Sequence, residues 1–236
     1  MEISPGIEII GTALWLKKEQ ILVINDLHLG YEEALHRKGI LVPKFQLQEM
    51  IAQATAITKK TSPLLIILNG DLKHEFGSIL KQEWKEVLQF LHFLSQQCTE
   101  IIIIQGNHDP IIKPLAEKRK IKVVKEYGIG DIILVHGDKL VETKAKTLII
   151  GHEHPAITIR LGGKWEKYKC FLKGKWNGKE LVAVPSFNPL LEGTDILKEQ
   201  ILSPYLTNLK SFQVFIISKG EVFEFGKVKD IMKKFR

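Results

Sequence analysis

Ile101-Ile102-Ile103-Ile104-Gln105-Gly106-Asn107-His108-Asp109 decides how this chain folds. The isoleucine run has strand length and β-branched composition, and its lack of polar alternation predicts a strand covered on both faces. The polar cluster at its carboxyl end lies where open α/β sheets place ligands. Gly106 lets the backbone approach a ligand closely. Four further apolar runs repeat the pattern. Gln20–Ile24 leads into Asn25-Asp26-Leu27-His28, and Leu64–Leu68 into Asn69-Gly70-Asp71. Ile132–Val135 leads into His136-Gly137-Asp138, and Thr147–Ile150 into Gly151-His152-Glu153-His154. Five of the eight histidines fall in these strand ends, so the set does not read as scattered surface turns.

Around these strands, helical spacing predicts a helix from Phe45 to about Lys60 and another from a Ser78 cap through about Gln97. Lys122–Val124 reads as one more strand. Strand–helix alternation over the first 120 residues points to a layered α/β fold. After His154 the pattern changes to Ala156–Leu161, Tyr168–Leu172, Leu181–Val184, Phe212–Ile217 and Glu221–Phe225. Gly162-Gly163, Asn177-Gly178 and Lys219-Gly220 serve as turns, so this half reads as mainly antiparallel β.

The 236 residues are 44% hydrophobic and 26% charged, which excludes disordered, collagen-like and disulfide-scaffold classes. No apolar run approaches the roughly 20 residues of a membrane span. The N-terminus carries no signal-peptide pattern, and two cysteines, Cys98 and Cys170, fit a reducing compartment. A cytoplasmic protein of one domain over residues 1–236 is expected. With 34 Lys+Arg against 27 Asp+Glu the formal charge is +7, which suits either a polyanionic partner or a lysine-rich surface.

Asp, Asn and His at five strand ends suit a two-metal hydrolytic site, in which paired cations clamp a phosphoryl group. Nitrogen and oxygen donors without thiolate favour Mn²⁺, Fe, Co²⁺ or Zn²⁺ over Mg²⁺ or Ca²⁺.

At these residues the sequence resembles the calcineurin-like metallophosphoesterases, whose pattern is D-x-H, G-D, G-N-H-[DE], a lone H and G-H-x-H. The resemblance implies an α/β fold, a four-layer αββα sandwich of two mixed β-sheets flanked by helices. It implies two divalent metal ions, Mn²⁺ first, with Fe, Co, Ni or Zn as alternatives. Asp26, His28 and His154 would hold one metal and Asn107, His136 and His152 the other, with Asp71 bridging. His108 would protonate the leaving oxygen or stabilise the phosphoryl charge, and Asp109 would orient its ring. The implied reaction is attack of metal-bound hydroxide on phosphorus.

Asn69–Phe76, Val135–Lys139, Gly151–Pro155 and Pro185–Asp195 are similar to the ICC-like, DNA-ligase-associated phosphoesterases. The Gly70-Asp71-Leu72-Lys73-His74 piece also resembles that of a double-strand-break repair nuclease, making His74 a candidate substrate group, whereas Lys73 adjoins a metal motif and reads either as a contact to substrate phosphates or as a solvated lysine. Lys139 adjoins a motif and is a further lysine of this kind. Trp165, Tyr168 and Trp176 among lysines read either as a stacking surface for nucleic acid or as an alternating strand with one face in the core. The expected activity is phosphodiester hydrolysis, with DNA or RNA as a candidate substrate and no membrane partner; a homodimer is left open. A small-molecule phosphatase or cyclic-nucleotide phosphodiesterase is the alternative enzyme, and an inactive metal-binding scaffold the alternative of another class.

Overall fold

The computed structural model describes residues 1–75, 81–161 and 163–234. Within them, β1 (Glu2–Ser4), β2 (Ile7–Ile10), β3 (Ala13–Leu16), β4 (Ile21–Asn25), β5 (Leu65–Asn69), β6 (Glu100–Ile104) and β7 (Lys122–Val124) form one sheet in chain order. β1 to β4 make an antiparallel meander, and β4 to β7 run parallel. The parallel crossovers carry α1 (Tyr31–Arg37) and α2 (Gln46–Thr61), then α3 (Lys81–Leu94), then α4 (Lys113–Glu117).

The second sheet contains β8 (Glu126–Ile129), β9 (Ile132–Val135), β10 (Thr147–Ile150), β11 (Pro155–Leu161), β12 (Lys164–Trp176), β13 (Lys179–Ala183), β14 (Thr194–Asp195), β15 (Gln213–Ser218) and β16 (Glu221–Lys227), followed by α5 (Val228–Lys234). β9, β10 and β13 are parallel neighbours, whereas β11, β12, β15 and β16 join through antiparallel pairs. Both sheets are therefore mixed.

Side-chain alternation along the strands builds three apolar layers. Val23, Ile67, Ile102 and Ile104 of the first sheet meet Leu134, Ile149, Phe171, Val182 and Phe215 of the second. Leu22, Ile24, Ile66, Leu68 and Ile103 point the other way, onto Met50, Ala54 and Ile57 of α2 and Val87, Phe90, Leu91 and Leu94 of α3. Each fully buried side chain of this kind contributes roughly 1.5–3 kcal/mol relative to exposure. Leu148, Ile150, Cys170, Leu172 and Leu181 face outward from the second sheet onto Tyr205, Leu206, Phe212, Val228 and Ile231. That last layer is largely the irregular segment between β14 and β15, with α5 as its helix.

The predicted strands and the helix at 45–60 occur where their patterns place them. α2 stops where Ser62 turns left-handed (φ 46°), its amide bonded to the Thr58 carbonyl at 2.8 Å, just before Pro63. The expected Ser78 cap and Gly162 of the Gly162-Gly163 turn lie outside the described residues. α3 ends at Leu94 rather than Gln97, because Gln96 and Gln97 tighten into bonds with Phe93 and Leu94. Asn177-Gly178 and Lys219-Gly220 all have positive φ, the geometry of two-residue hairpin turns. β1–β3, β8 and β14 lie outside the expected strands.

Register brings the strand ends level. Asn25 pairs with Asn69, and Asn69 with Ile104, while Val135 and Ala183 both pair with Ile150. The two sets of ends meet where Asn69 Nδ2 donates to the Val135 carbonyl at 3.0 Å and the Phe187 amide to the Asn25 carbonyl at 2.9 Å.

Candidate metal centre

All seven candidate ligands converge at this meeting line. Ligand atoms of Asp26, His28, Asp71 and His154 lie within 4.8 Å of one another, as do those of Asp71, His136 and His152. Asn107 joins the second group, its Oδ1 2.8 Å from His136 Nε2. Asp71 belongs to both groups. Its Oδ2 is 3.5 Å from His28 Nε2, 3.4 Å from His136 Nε2 and 3.9 Å from His108 Nε2, while Oδ1 accepts the His108 amide at 2.9 Å. Asp26 Oδ1 lies 3.5 Å from both His154 Nε2 and His136 Nδ1, and its Oδ2 accepts the His152 amide at 3.0 Å.

Backbone strain marks the same residues. Asp26, His28, Asp71, His152 and His154 all hold φ between 42° and 65°, a left-handed conformation that costs a non-glycine residue of order 1–3 kcal/mol. Surrounding bonds hold them there. The His28 amide donates to the Asp71 carbonyl at 2.8 Å, tying the β4 and β5 loops together. Ser186 Oγ donates to the Asp26 carbonyl at 2.7 Å, and Gln46 Nε2 to the His28 carbonyl at 2.9 Å. Close approach to the ligand side chains requires glycine at three points: a Cβ on Gly106 would sit 2.2 Å from Asp71 Oδ1, one on Gly70 2.0 Å from His136 Nδ1, and one on Gly151 2.5 Å from Asp26 Oδ2.

Electrostatics set two of the ligand rings, His28 and His152, in the state a metal needs. Burial, with His154 beside it, holds His28 well below the usual histidine range, and burial also lowers His152, next to His136. Neutral imidazoles are the ligating form. His136 is the exception: burial opposes its charge, but the bond to Asp71 and the charges of Asp71 and Asp26 lift it to about 9. Burial disfavours the Asp71 carboxylate in turn, yet His136 holds its pKa below the usual range. Without a metal, the carboxylates thus draw a proton onto His136 as their counter-charge.

The donor set fits divalent cations. Asp26 Oδ1, His28 Nδ1 and His136 Nδ1 are buried with no hydrogen-bond partner among the described residues. His28 Nε2 and His154 Nε2 face each other at 3.2 Å. Asp26 and Asp71 are 0% and 2% exposed, and two buried carboxylates without cations are costly. The first group would hold one cation, the second the other, and Asp71 both.

His108 stands beside the centre with its Nδ1 on the carbonyl oxygen of His74. That corrects the expectation for Asp109. Its carboxylate is buried and accepts backbone N–H groups of Leu72, Lys73 and Gly106 at 3.1–3.3 Å, so it clamps the β5 and β6 loops, and the His74 carbonyl orients the ring. Burial, reinforced by the Asp71 charge, lifts Asp109 to about 7. His74 is brought in: its ring stacks on His108 at 5.8 Å and meets Tyr31 at 4.8 Å, and burial lowers it to about 4. Lys73 is 1% exposed with its ammonium on the Glu75 carbonyl, so it braces its own loop.

Sequence reasoning did not single out Lys169, Ser186 and Asn188 as parts of the site. Lys169 is half-buried, and its ammonium donates to the Ser186 carbonyl at 2.7 Å and to that of Asn188. This loop then holds Asp26 through Ser186, and the His28 carbonyl through Asn188 Nδ2 at 3.3 Å. Tyr168 packs into the outer core, Trp176 lies 4.8 Å from Tyr205, and Trp165 is exposed beneath Lys198, so most of this strand's aromatics are core.

The family model for calcineurin-like phosphoesterases matches residues 20–157, which include every candidate ligand. No curated protein matches the chain. A nuclease of Pseudomonas putida, MPE, has a similar fold: 16% identity, 93% of this chain and 94% of that one covered, TM-score 0.66. The phosphoesterase Yfce of E. coli shares 11% identity over 87% of this chain and 92% of its own, with TM-score 0.40.

Proposed function

This chain belongs to the calcineurin-like phosphoesterase family, and from that premise we propose that it is a metal-dependent phosphodiesterase acting on nucleic acid. The observation that carries the reading is the position of Asp71, whose Oδ2 lies 3.4–3.5 Å from a ring nitrogen of each ligand group. When bound, two divalent cations, Mn²⁺ first, would supply Lewis acidity at phosphorus and lower the pKa of a coordinated water.

The chain's own residues do the rest. Asp71 Oδ1 is fixed by the His108 amide, which leaves Oδ2 to face both ligand groups. His108 Nδ1 is engaged by the His74 carbonyl, so Nε2 is the nitrogen turned toward the centre. Burial lowers the pKa of that ring below the usual histidine value, against the charge of Asp71. A phosphodiester anion against Nε2 favours the imidazolium, which then donates its proton toward the leaving oxygen. The preference for nucleic acid is supported by the +7 formal charge. A cytoplasmic location belongs to the same proposal, supported by the unpaired Cys98 and Cys170. The described helices include none long and apolar enough to cross a membrane.

Hydrolysis of bis-p-nitrophenyl phosphate with Mn²⁺ tests the activity. Asp71→Ala and His152→Ala should each abolish it, and undiminished turnover in both variants overturns the assignment.

A further inference from the structure

A cavity of about 480 Å³ opens beside the second ligand group, with Asn107 and His136 in its wall. Its other faces combine two chemistries. Pro110, Leu140 and Val141 are apolar, and Leu140 is 56% exposed. Lys125 and Lys139 supply positive charge, and Asp138 one negative charge. Lys125 follows β7, whose end is tied to the site by the Gln105 amide on the Val124 carbonyl at 2.8 Å. Lys139 follows His136-Gly137-Asp138 directly. Lys125 makes no ion pair with a described residue, and Lys139 meets Asp138 at 3.7 Å while remaining 87% exposed in its side chain.

The cavity beside the first group differs. It measures about 410 Å³ and is lined by Tyr31, His154, Lys167, Leu190, Leu191 and Glu192, so it too has an apolar wall but a single lysine beside a carboxylate. Its lysine is engaged by Glu199 at 2.8 Å. Lys125, which makes no ion pair with a described residue, and the largely exposed Lys139, shared with Asp138, therefore place positive charge on the side of the second group. An apolar wall next to a metal-ligand wall, rimmed by two cations, matches a nucleoside whose neighbouring phosphates reach the lysines. A simple phosphate ester would leave both the leucine wall and Lys125 unused.

We propose that this cavity is a subsite for the nucleotide adjoining the scissile phosphate of a single-stranded nucleic acid, with Lys125 and Lys139 binding the backbone phosphates and Leu140 contacting the sugar or base. The subsite rests on the phosphodiesterase reading above and names which residues select a polymer over a small ester.

The test measures binding of a fluorescein-labelled oligothymidylate by anisotropy, in Mn²⁺, with His108→Ala as the background so that the strand stays intact. Binding is followed from 50 to 300 mM KCl. Each phosphate contact on a single strand contributes about 0.7 to the slope of log affinity against log salt, so Lys125→Ala/Lys139→Ala should lower that slope by about 1.4. Lys59→Ala/Lys60→Ala, which removes the same charge from α2, should leave it unchanged. Leu140→Ala should weaken binding with the slope retained. In otherwise wild-type protein, the ratio of kcat/KM on the oligonucleotide to that on bis-p-nitrophenyl phosphate should fall about tenfold in the cavity double variant, roughly 1.4 kcal/mol. An unchanged slope and ratio, or an equal loss in the α2 variant, overturns the subsite. Wild-type turnover of the small diester with no oligonucleotide binding overturns it as well and leaves the phosphodiesterase reading standing. Failure on the small diester overturns that reading instead.

Discussion

His28 Nε2 and His154 Nε2 lie 3.2 Å apart although 126 residues separate them in the chain. Two imidazole nitrogens at that distance share at most one hydrogen bond, whereas a lone pair from each ring can point at one cation. With Asp26 and Asp71 beside them, the two rings form the first ligand group. The histidine pair therefore gives a direct handle on metal stoichiometry. Wild-type protein should bind two Mn²⁺ by elemental analysis after gel filtration. His154→Ala and His152→Ala should each retain one, from opposite groups, while Asp71→Ala should lose both. Two ions retained in His154→Ala would show that the first group is drawn wrongly.

Metal affinity should depend on pH through His136. Its proton, held up to a pKa of about 9 by Asp71 against the effect of burial, must leave before the ring can ligate. Below that pH the proton competes with the metal, so affinity for the second ion should rise roughly tenfold per pH unit between 7 and 9 and level off above. Titration calorimetry in buffers of different ionisation enthalpy should report about one proton released near pH 7.5. Affinity independent of pH over this range would contradict the assignment of His136.

His108→Ala should keep both metals and lose turnover by about 10²–10⁴, the usual contribution of a positioned acid. Loss of metal together with turnover would make His108 a ligand instead.

Asp109→Ala should lower stability more than it perturbs the His108 ring. Removing the carboxylate leaves buried amides of Leu72, Lys73 and Gly106 without their acceptor, at a cost of about 3 kcal/mol. Thermal unfolding gives the first quantity and the His108 imidazole NMR signals give the second. A large shift of the His108 ring at unchanged melting temperature would restore the ring-orienting role expected from sequence.

Lys169→Met should weaken the first metal site without touching a ligand. Its ammonium joins β12 to the loop whose Ser186 and Asn188 hold the backbone of Asp26 and His28. Loss of such outer support typically costs 10–100-fold in metal affinity. Competition with a Mn²⁺ chelator should show one weakened site and one unchanged.

The strand ends were legible because a buried strand and its terminal ligands are both local: Ile101–Ile104 followed by Gly106-Asn107-His108 states its role within nine residues. β1–β3 were harder, since they are three or four residues long and their sheet position depends on pairing with β4. β12 was read only over Tyr168–Leu172 because its flanks are lysines; tertiary pairing with β11, β13 and β15 extends it to Lys164–Trp176. Lys169 looked like surface charge, and only the loop folding back from β13 gives its ammonium two carbonyls. Asp109 sits beside His108 in sequence, yet its carboxylate turns to amides of the facing β5 loop and the nearby Gly106, a choice set by the facing of two loops that no spacing records.

The most direct test of the dimetal account is a crystal grown with Mn²⁺ and measured across the manganese absorption edge. Two anomalous peaks about 3.5–4 Å apart are expected, with Asp71 between them, Asp26, His28 and His154 around one, and Asn107, His136 and His152 around the other. A single peak, or two peaks without a shared Asp71 oxygen, would contradict it.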